Sequence, residues 1–369
     1  MKKITKINLF FVVLLLSCNS FATPLPLSSP MPVNIVDPTP SLTPEPTQIS
    51  TPIPNTFFDI SRFSFITLNS ITSIPVSELL YDKWIVGNDG LVFRYRAEVG
   101  SFSRIDIPVR TSLVDVDFVS PDDGWIVGEG SLILHWNGEE WSVSKPATID
   151  SGGHYHYNFY QIAFAETNDG WAAGCTSSEG GEYLLVYHWD GSVWSETSVS
   201  DDRNLWVCAH DISVLASNDV WITGTGWESG KEYGITVHWD GNAWEIVSEL
   251  ASYNIQSLSA LSSDDIWAVT RFGIVLHWNG TEWSEITQLE SAGSVSVPII
   301  YAQGSDNVFV ASNRVWHWDG KSWTDISVPS NIEEDSKIVD MVAFPSPAFP
   351  LETWMLDSSG MIYQFYWRK

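Results

Sequence analysis

Gly124-Trp125-Ile126-Val127-Gly128-Glu129-Gly130-Ser131-Leu132-Ile133-Leu134-His135-Trp136-Asn137-Gly138-Glu139-Glu140-Trp141 is the stretch that decides how this chain folds. It carries two markers. In one, an acidic or Asn-containing turn runs into an aromatic. In the other, His-Trp is followed by Asp or Asn, Gly, two variable residues and Trp. The second marker returns at His188 to Trp194, His238 to Trp244, His277 to Trp283 and His317 to Trp323. The first returns at Asp169-Gly170-Trp171, Asp219-Val220-Trp221, Asp265-Ile266-Trp267 and Asn307-Val308-Phe309. With Trp84 ahead and Trp354 behind, the marker aromatics stand 41 to 50 residues apart. That is the period of a four-stranded propeller blade, and seven units follow without a gap. The chain therefore reads as all-β, a seven-bladed β-propeller of four-stranded antiparallel blades.

Residue type divides each unit into strands. In the fifth, Ile255 to Leu261 alternates apolar and polar, as a half-buried strand does. Ile266 to Thr270 returns, Ile274 to Trp278 is the third strand, and Trp283 to Thr287 the fourth. Asn279-Gly280 is a hairpin-turn dipeptide. The outer units are degraded. Arg94-Tyr95 and Phe102 replace His-Trp and the last Trp of the first unit, and Lys369 is reached before a fourth strand of the seventh. Phe57-Phe58-Asp59-Ile60-Ser61 mirrors Trp323-Thr324-Asp325-Ile326-Ser327, a fourth strand. The segment is expected to complete the seventh blade beside Met361 to Tyr366, closing the ring and removing exposed strand edges.

Residues 1–22 read as an export signal: Lys2, Lys3 and Lys6 precede the short apolar run Leu9 to Leu16, too short to span a bilayer. Leu15-Leu16-Ser17-Cys18 resembles a bacterial lipobox, which makes Cys18 the lipidation site and mature N-terminus. Ordinary cleavage after Ala22 is the alternative, giving a secreted rather than a membrane-anchored protein at the cell surface or in the periplasm. Residues 23–56 are a linker holding ten of the nineteen prolines, a composition that extends rather than packs. Residues 57–369 are the propeller. The formal charge of −27 repels phosphate backbones and anionic lipid, so nucleic acid is excluded as a partner and membrane contact rests on the N-terminal lipid. Solubility alone explains such a charge; attraction of cations or basic partners is the sharper explanation. Cys175 and Cys208 are an even pair in an exported chain and are expected to form a disulfide. They lie at the end of the second strand of blade three and the start of the first strand of blade four, on one rim.

Residues 124 to 141 resemble a repeat of the photosystem II assembly-factor propellers, and of the wider bacterial Asp-box (sialidase-type, or BNR) repeats. The second Gly and the Ser or Thr of the Asp-box turn are absent here. The resemblance implies the fold; such repeats occur in enzymes, lectins and scaffolds alike. Sialidase chemistry needs an arginine triad and a Tyr-Glu nucleophile pair. The nine arginines lack that family's setting, and Arg104-Ile105-Asp106-Ile107-Pro108 does not supply it.

The five periodic histidines recur once per blade, too far apart to converge on a metal, so neither metal nor cofactor is expected. They read instead as packing beside their Trp and hydrogen-bonding within the blade. Repeat-position tryptophans read as core between blades. Aromatics outside the register, Tyr155, Tyr157, Tyr160, Trp206 and Trp227, fall in segments that open onto one face. There blades three and four also carry inserted loops, Cys175 to Tyr183 and Thr225 to Tyr233. The candidate ligand or partner site is His154, Tyr155, His156, Tyr157, Glu179, Glu182, Trp206, Trp227, Glu228 and Glu232, set against loop variation after duplication of a blade. The functional expectation is a monomeric, non-catalytic scaffold binding a protein partner or a surface glycan. A lectin-like propeller and an Asp-box glycoside hydrolase are the alternatives.

Overall fold

The computed structural model describes residues 57–62, 66–78, 80–148, 157–178, 181–199, 206–228, 230–251, 253–289, 297–326, 337–345 and 351–367. The leader, Cys18 and the linker lie outside them. Seven four-stranded antiparallel sheets follow one another along the chain as the blades of a propeller. Blade five consists of Ile255–Ser262, Asp265–Thr270, Ile274–Trp278 and Trp283–Gln288, within a residue of the bounds read from its alternation and turn dipeptides. The seventh sheet departs from chain order. Ile338–Phe344, Leu351–Asp357 and Met361–Trp367 are joined by Phe57–Arg62, which pairs antiparallel from Phe57↔Phe365 to Arg62↔Met361. The two ends of the propeller thus share one blade, and the ring closes as expected.

Burial explains the repeat. Second strands are buried along their length, as in Asp123–Gly128, while fourth strands such as Trp141–Lys145 are largely exposed. The marker Trp of each second strand inserts into the aromatic ring set of the next blade. Trp84 lies 4.9 Å from Phe118, 5.1 Å from Trp136 and 5.8 Å from Trp141. Trp125 lies 5.1 Å from Phe164 and 4.9 Å from Trp189. Trp171 packs on Trp239 and Trp244, both at 5.3 Å. The markers are therefore one contact seen from both sides, and the tryptophans are inter-blade core. Gly124 and Gly170 belong to it too: a Cβ there would meet the Phe118 and Phe164 rings at 2.3 and 2.2 Å. At the 7–1 seam the smaller Tyr95 and Phe102 receive Trp354. Lys83 is buried there, its ammonium 4.2 Å from the Phe344 ring centre, 4.5 Å from that of Trp354 and 3.9 Å from Glu352. Burial holds its pKa down to about 8.

Inner strands are stitched by side chains. Their ladders slip by one residue between Leu68/Ser70, Leu113/Asp115, Phe159/Gln161, Ala209/Asp211, Ile255/Ser257 and Ile338/Asp340. A bulge breaks the ladder locally and leaves backbone groups to be satisfied otherwise. Asp115 accepts the N–H of Val116 (2.9 Å), the N–H of Ile162 in the next blade (2.8 Å) and the Ser70 hydroxyl of the preceding one (2.7 Å). Asp211 accepts from Ile212 (2.8 Å) and, across the seam, from the Leu258 N–H (2.9 Å) and Ser257 hydroxyl (2.7 Å). Asp340 accepts from Met341 and from Ile71 of blade one, both at 2.7 Å. Ser257 Oγ accepts the Ile300 N–H at 3.2 Å. Two seams are joined in other ways. Cys175 and Cys208 form the expected disulfide between blades three and four, their Cα atoms 4.9 Å apart. Tyr301 of blade six donates its hydroxyl to the Ala343 carbonyl of blade seven at 2.9 Å.

Candidate functional site

The periodic histidines are structural. His135, His188, His238 and His277 donate from Nε2 to Oδ1 of Asp123, Asp169, Asp219 and Asp265 at 2.6 to 2.9 Å. His317 donates to Asn307 Oδ1 at 2.7 Å. Each lies in its own blade, its ring over the marker aromatic, as for Trp125 and His135 at 4.1 Å. The marker indole shares the acceptor: Trp125 donates to Asp123 at 3.0 Å and Trp221 to Asp219 at 2.7 Å. In the degraded blades Arg94 holds Asp82 and Gln364 holds Glu352, so the acceptor keeps a donor where histidine is lost.

Of the candidate rim residues, His154, Tyr155, His156 and Glu179 lie outside the described residues. Tyr157, Glu182, Trp206 and Glu228 are placed by their backbones, through Tyr157↔Thr176, Ser177↔Glu182, Trp206↔Trp227 and Glu228↔Lys231. Glu232 is the ladder partner of Trp227. The two insertions are not loops, as the sequence reading had them, but hairpin extensions. Asp169–Ser178 pairs with Gly181–Trp189 out to Ser178↔Gly181, and Asp219–Glu228 with Lys231–Trp239 out to Glu228↔Lys231. Continued pairing satisfies backbone groups that a seven-residue loop would leave to water. Tyr233 belongs to the core, its ring lying where a Cβ on Gly226 would be, at 2.3 Å. The disulfide braces the base of both hairpins.

These hairpins stand beside the mouth of the channel enclosed by the seven inner strands, a cavity of about 970 Å³. Trp227, from the candidate set, lines it. So do Tyr160 and the exposed Val297. The other wall residues mix serine and apolar side chains with amide and acidic ones flanking the inner-strand bulges, among the latter Asn69, Gln161 and Gln256. Sequence reading missed them because alternation does not reveal where a strand slips. The available signal was the recurrence of Asp or Ser at one place per unit: Ser70, Asp115, Asp211, Ser257 and Asp340.

Hydrogen bonds connect rim and channel. Glu232 accepts from Asn254 Nδ2 at 3.2 Å, Asn254 Oδ1 accepts from Gln256, and the same Gln256 amide donates to His210 Nδ1 at 2.8 Å. Burial holds the His210 imidazole down to about 4, so it is neutral near pH 7. Enclosure by protein pushes Asp211 and Asp340 up to about 7, against the pull of their N–H donors; the charge of Asp115 adds to the rise.

Comparison with known proteins adds the family dimension. The family model of the photosynthesis system II assembly factor YCF48 matches residues 94–202. Over that segment the repeat is similar to the assembly-factor type. A chloroplastic photosystem II stability/assembly factor, HCF136 of Guillardia theta, is 28% identical over 114 residues. That match covers 30% of this chain and only 26% of the relative. YCF48 from Cyanidioschyzon merolae superposes with a TM-score of 0.59 at 15% identity, over 84% of this chain and 98% of its own. YCF48 bound to D1 peptide gives 0.58 at 16%, over 85% and 97%. The WD40 propeller domain of Doa1 gives 0.60 at 11%, over 85% and 98%. At these identities the likeness is one of fold.

Proposed function

We propose that this chain is an exported, lipid-anchored, non-catalytic propeller that recognises a protein partner on the face bearing the blade three and four hairpins. The observation that carries the reading is the pairing of two extended hairpins in neighbouring blades, cross-linked at their base, beside the channel mouth. Extra ladder on one sector of an otherwise regular ring builds a projecting, preorganised surface, and preorganisation lowers the entropy lost on binding. YCF48, whose repeat is similar, has been captured with a D1 peptide, which supports a polypeptide as the kind of ligand. The leader and the Pro-rich linker support a stalk that holds the propeller off a membrane surface.

The test begins with capture of partners by the tethered protein. Both hairpins are then shortened to the length of the Arg271-Phe272-Gly273 turn of blade five, with Cys175 and Cys208 kept. A loss of affinity of at least about tenfold, near 1.4 kcal/mol, is expected. Undiminished affinity would move the site off these hairpins. A glycan array distinguishes the lectin-like reading, which the half-buried Trp227 and exposed Tyr160 at the mouth keep in view; selective glycan binding without a protein partner would replace the scaffold reading.

A further inference from the structure

The channel wall has a one-sided charge. Among the described residues that line it, four bring carboxyl groups, Asp115, Glu129, Asp211 and Asp340, and none is a lysine or arginine. Its histidine, His210, is neutral. Arg271, exposed in blade five, is a cation whose charge acts on His210. Around this wall the whole chain carries −27. A concave, low-dielectric wall of one sign concentrates the potential inside it. The mouth adds aromatic surface from Tyr160 and Trp227, and an ammonium or guanidinium over such a ring gains a further attraction. Gln161 brings a carboxamide to the same wall, a group that matches peptide backbone in both donor and acceptor, while the Gln256 amide N–H groups are held by Asn254 and His210. The space, about 970 Å³, lies at the upper end of ligand pockets, far beyond a single ion.

We infer that the channel mouth binds an extended segment of polypeptide carrying lysine or arginine, its cationic side chains directed into the channel. This rests on the protein-partner reading above and names the chemistry of the segment recognised. The acceptor ring of Asp115, Asp211 and Asp340 stitches the blades, and above about pH 7, where Asp211 and Asp340 are ionised, the same oxygens set the sign of the potential within. Gln161 is the position at which that potential can be changed without cutting a stitch. It occupies the bulge place of blade three, and the seam it faces is held by the disulfide.

The experiment uses the full chain at pH 8, where the wall carboxyls raised to about 7 are ionised, with hexalysine, hexaglutamate and hexaserine peptides as probes in titration calorimetry at low and physiological salt. Hexalysine is expected to bind with one site per chain and to weaken with salt, and the other two not to bind. Gln161→Arg places a cation in the mouth and should weaken hexalysine at least about tenfold. Glu139→Arg reverses an exposed charge on the opposite face and should change it less than about twofold. Far-ultraviolet circular dichroism and Tm establish that both variants fold. Equal weakening by the two variants, or binding of several peptides per chain, would place the cation on the general acidic surface and overturn the inference. Tighter hexaglutamate binding would overturn it as well. If a captured partner depends on the hairpins but Gln161→Arg leaves hexalysine unchanged, the scaffold reading stands and this one fails.

Discussion

Replacing Asp211 by Ala tests whether the inner-strand carboxylates hold the ring together. The side chain accepts three hydrogen bonds, from the Ile212 and Leu258 N–H groups and the Ser257 hydroxyl, two of them across the seam between blades four and five. Its removal strands donors at a bulge where the ladder offers no partner. Each is worth about 1 kcal/mol if channel water replaces the acceptor, and about 1–3 kcal/mol if it does not. The cavity is wide enough for water, so the lower value applies, and the sum is about 3 kcal/mol. At about 2.1 cal/mol/K of unfolding entropy per residue, that is a fall in Tm of about 5 °C for a domain of this size. Asp211→Asn keeps one acceptor oxygen and should cost about half as much near pH 5. The pH dependence carries the sharper test. Asp211 is pushed up to about 7 from an ordinary 3.8, so between those values the folded chain binds more protons than the unfolded one. Stability contributed by this group is fully present below about pH 4 and is lost as pH rises through 7. The asparagine variant lacks that loss, so the deficit relative to wild type should shrink from pH 5 to pH 8. Urea denaturation of wild type and both variants across that range measures it. A cost for Asp211→Ala below about 0.5 kcal/mol, or an asparagine deficit that grows with pH, would refute the stitching account.

Three other outcomes follow from the same structure. Reduction of Cys175–Cys208, or the double serine variant, should cost about 3 to 4 kcal/mol, since the bond closes a loop across 33 residues of chain separation and constrains the unfolded state; unchanged denaturation midpoints would show that the seam does not need it. Deleting residues 57–66 leaves the Met361–Trp367 edge unpaired and should lower Tm by more than about 10 °C, whereas deleting 23–50 should not; equal melting of the two would exclude closure by this strand. Radiolabelled palmitate should mark the wild-type chain, and Cys18→Ala should abolish the label without stopping export; a mature N-terminus at Thr23 would rule lipidation out.

Much of the architecture was legible because a blade is a local object. Its four strands are consecutive, so alternation, Asn-Gly and Asp-Gly turns and the spacing of Trp125, Trp171 and Trp221 determine the blade count and strand bounds without knowledge of the ring. Closure was legible as well, since Phe57 to Ser61 repeats the pattern of a fourth strand that the C-terminus lacks. The His-Trp phrase pointed to packing, though not to its direction: only in three dimensions does Trp125 meet Trp189 and Trp194 of the following blade, because these partners stand more than 60 positions away along the chain.

The candidate site divides the same way. Unusual aromatics and longer hairpins in neighbouring units marked the blade three and four sector, and an even cysteine pair marked its brace. The extension of those hairpins as paired strand was not legible, since Glu-Gly-Gly-Glu-Tyr and Ser-Gly-Lys-Glu-Tyr read as loop until a facing strand supplies partners. Nor was the channel. Asp115, Asp211 and Asp340 look in sequence like polar positions of alternating strands. What they do follows from a one-residue bulge and from the curvature of a seven-fold ring, which brings each carboxylate against the backbone of the next blade and turns all of them toward one enclosed space. Repeat, strand and turn are properties of neighbours along the chain; the potential inside the channel is a property of residues that meet only when the ring is shut.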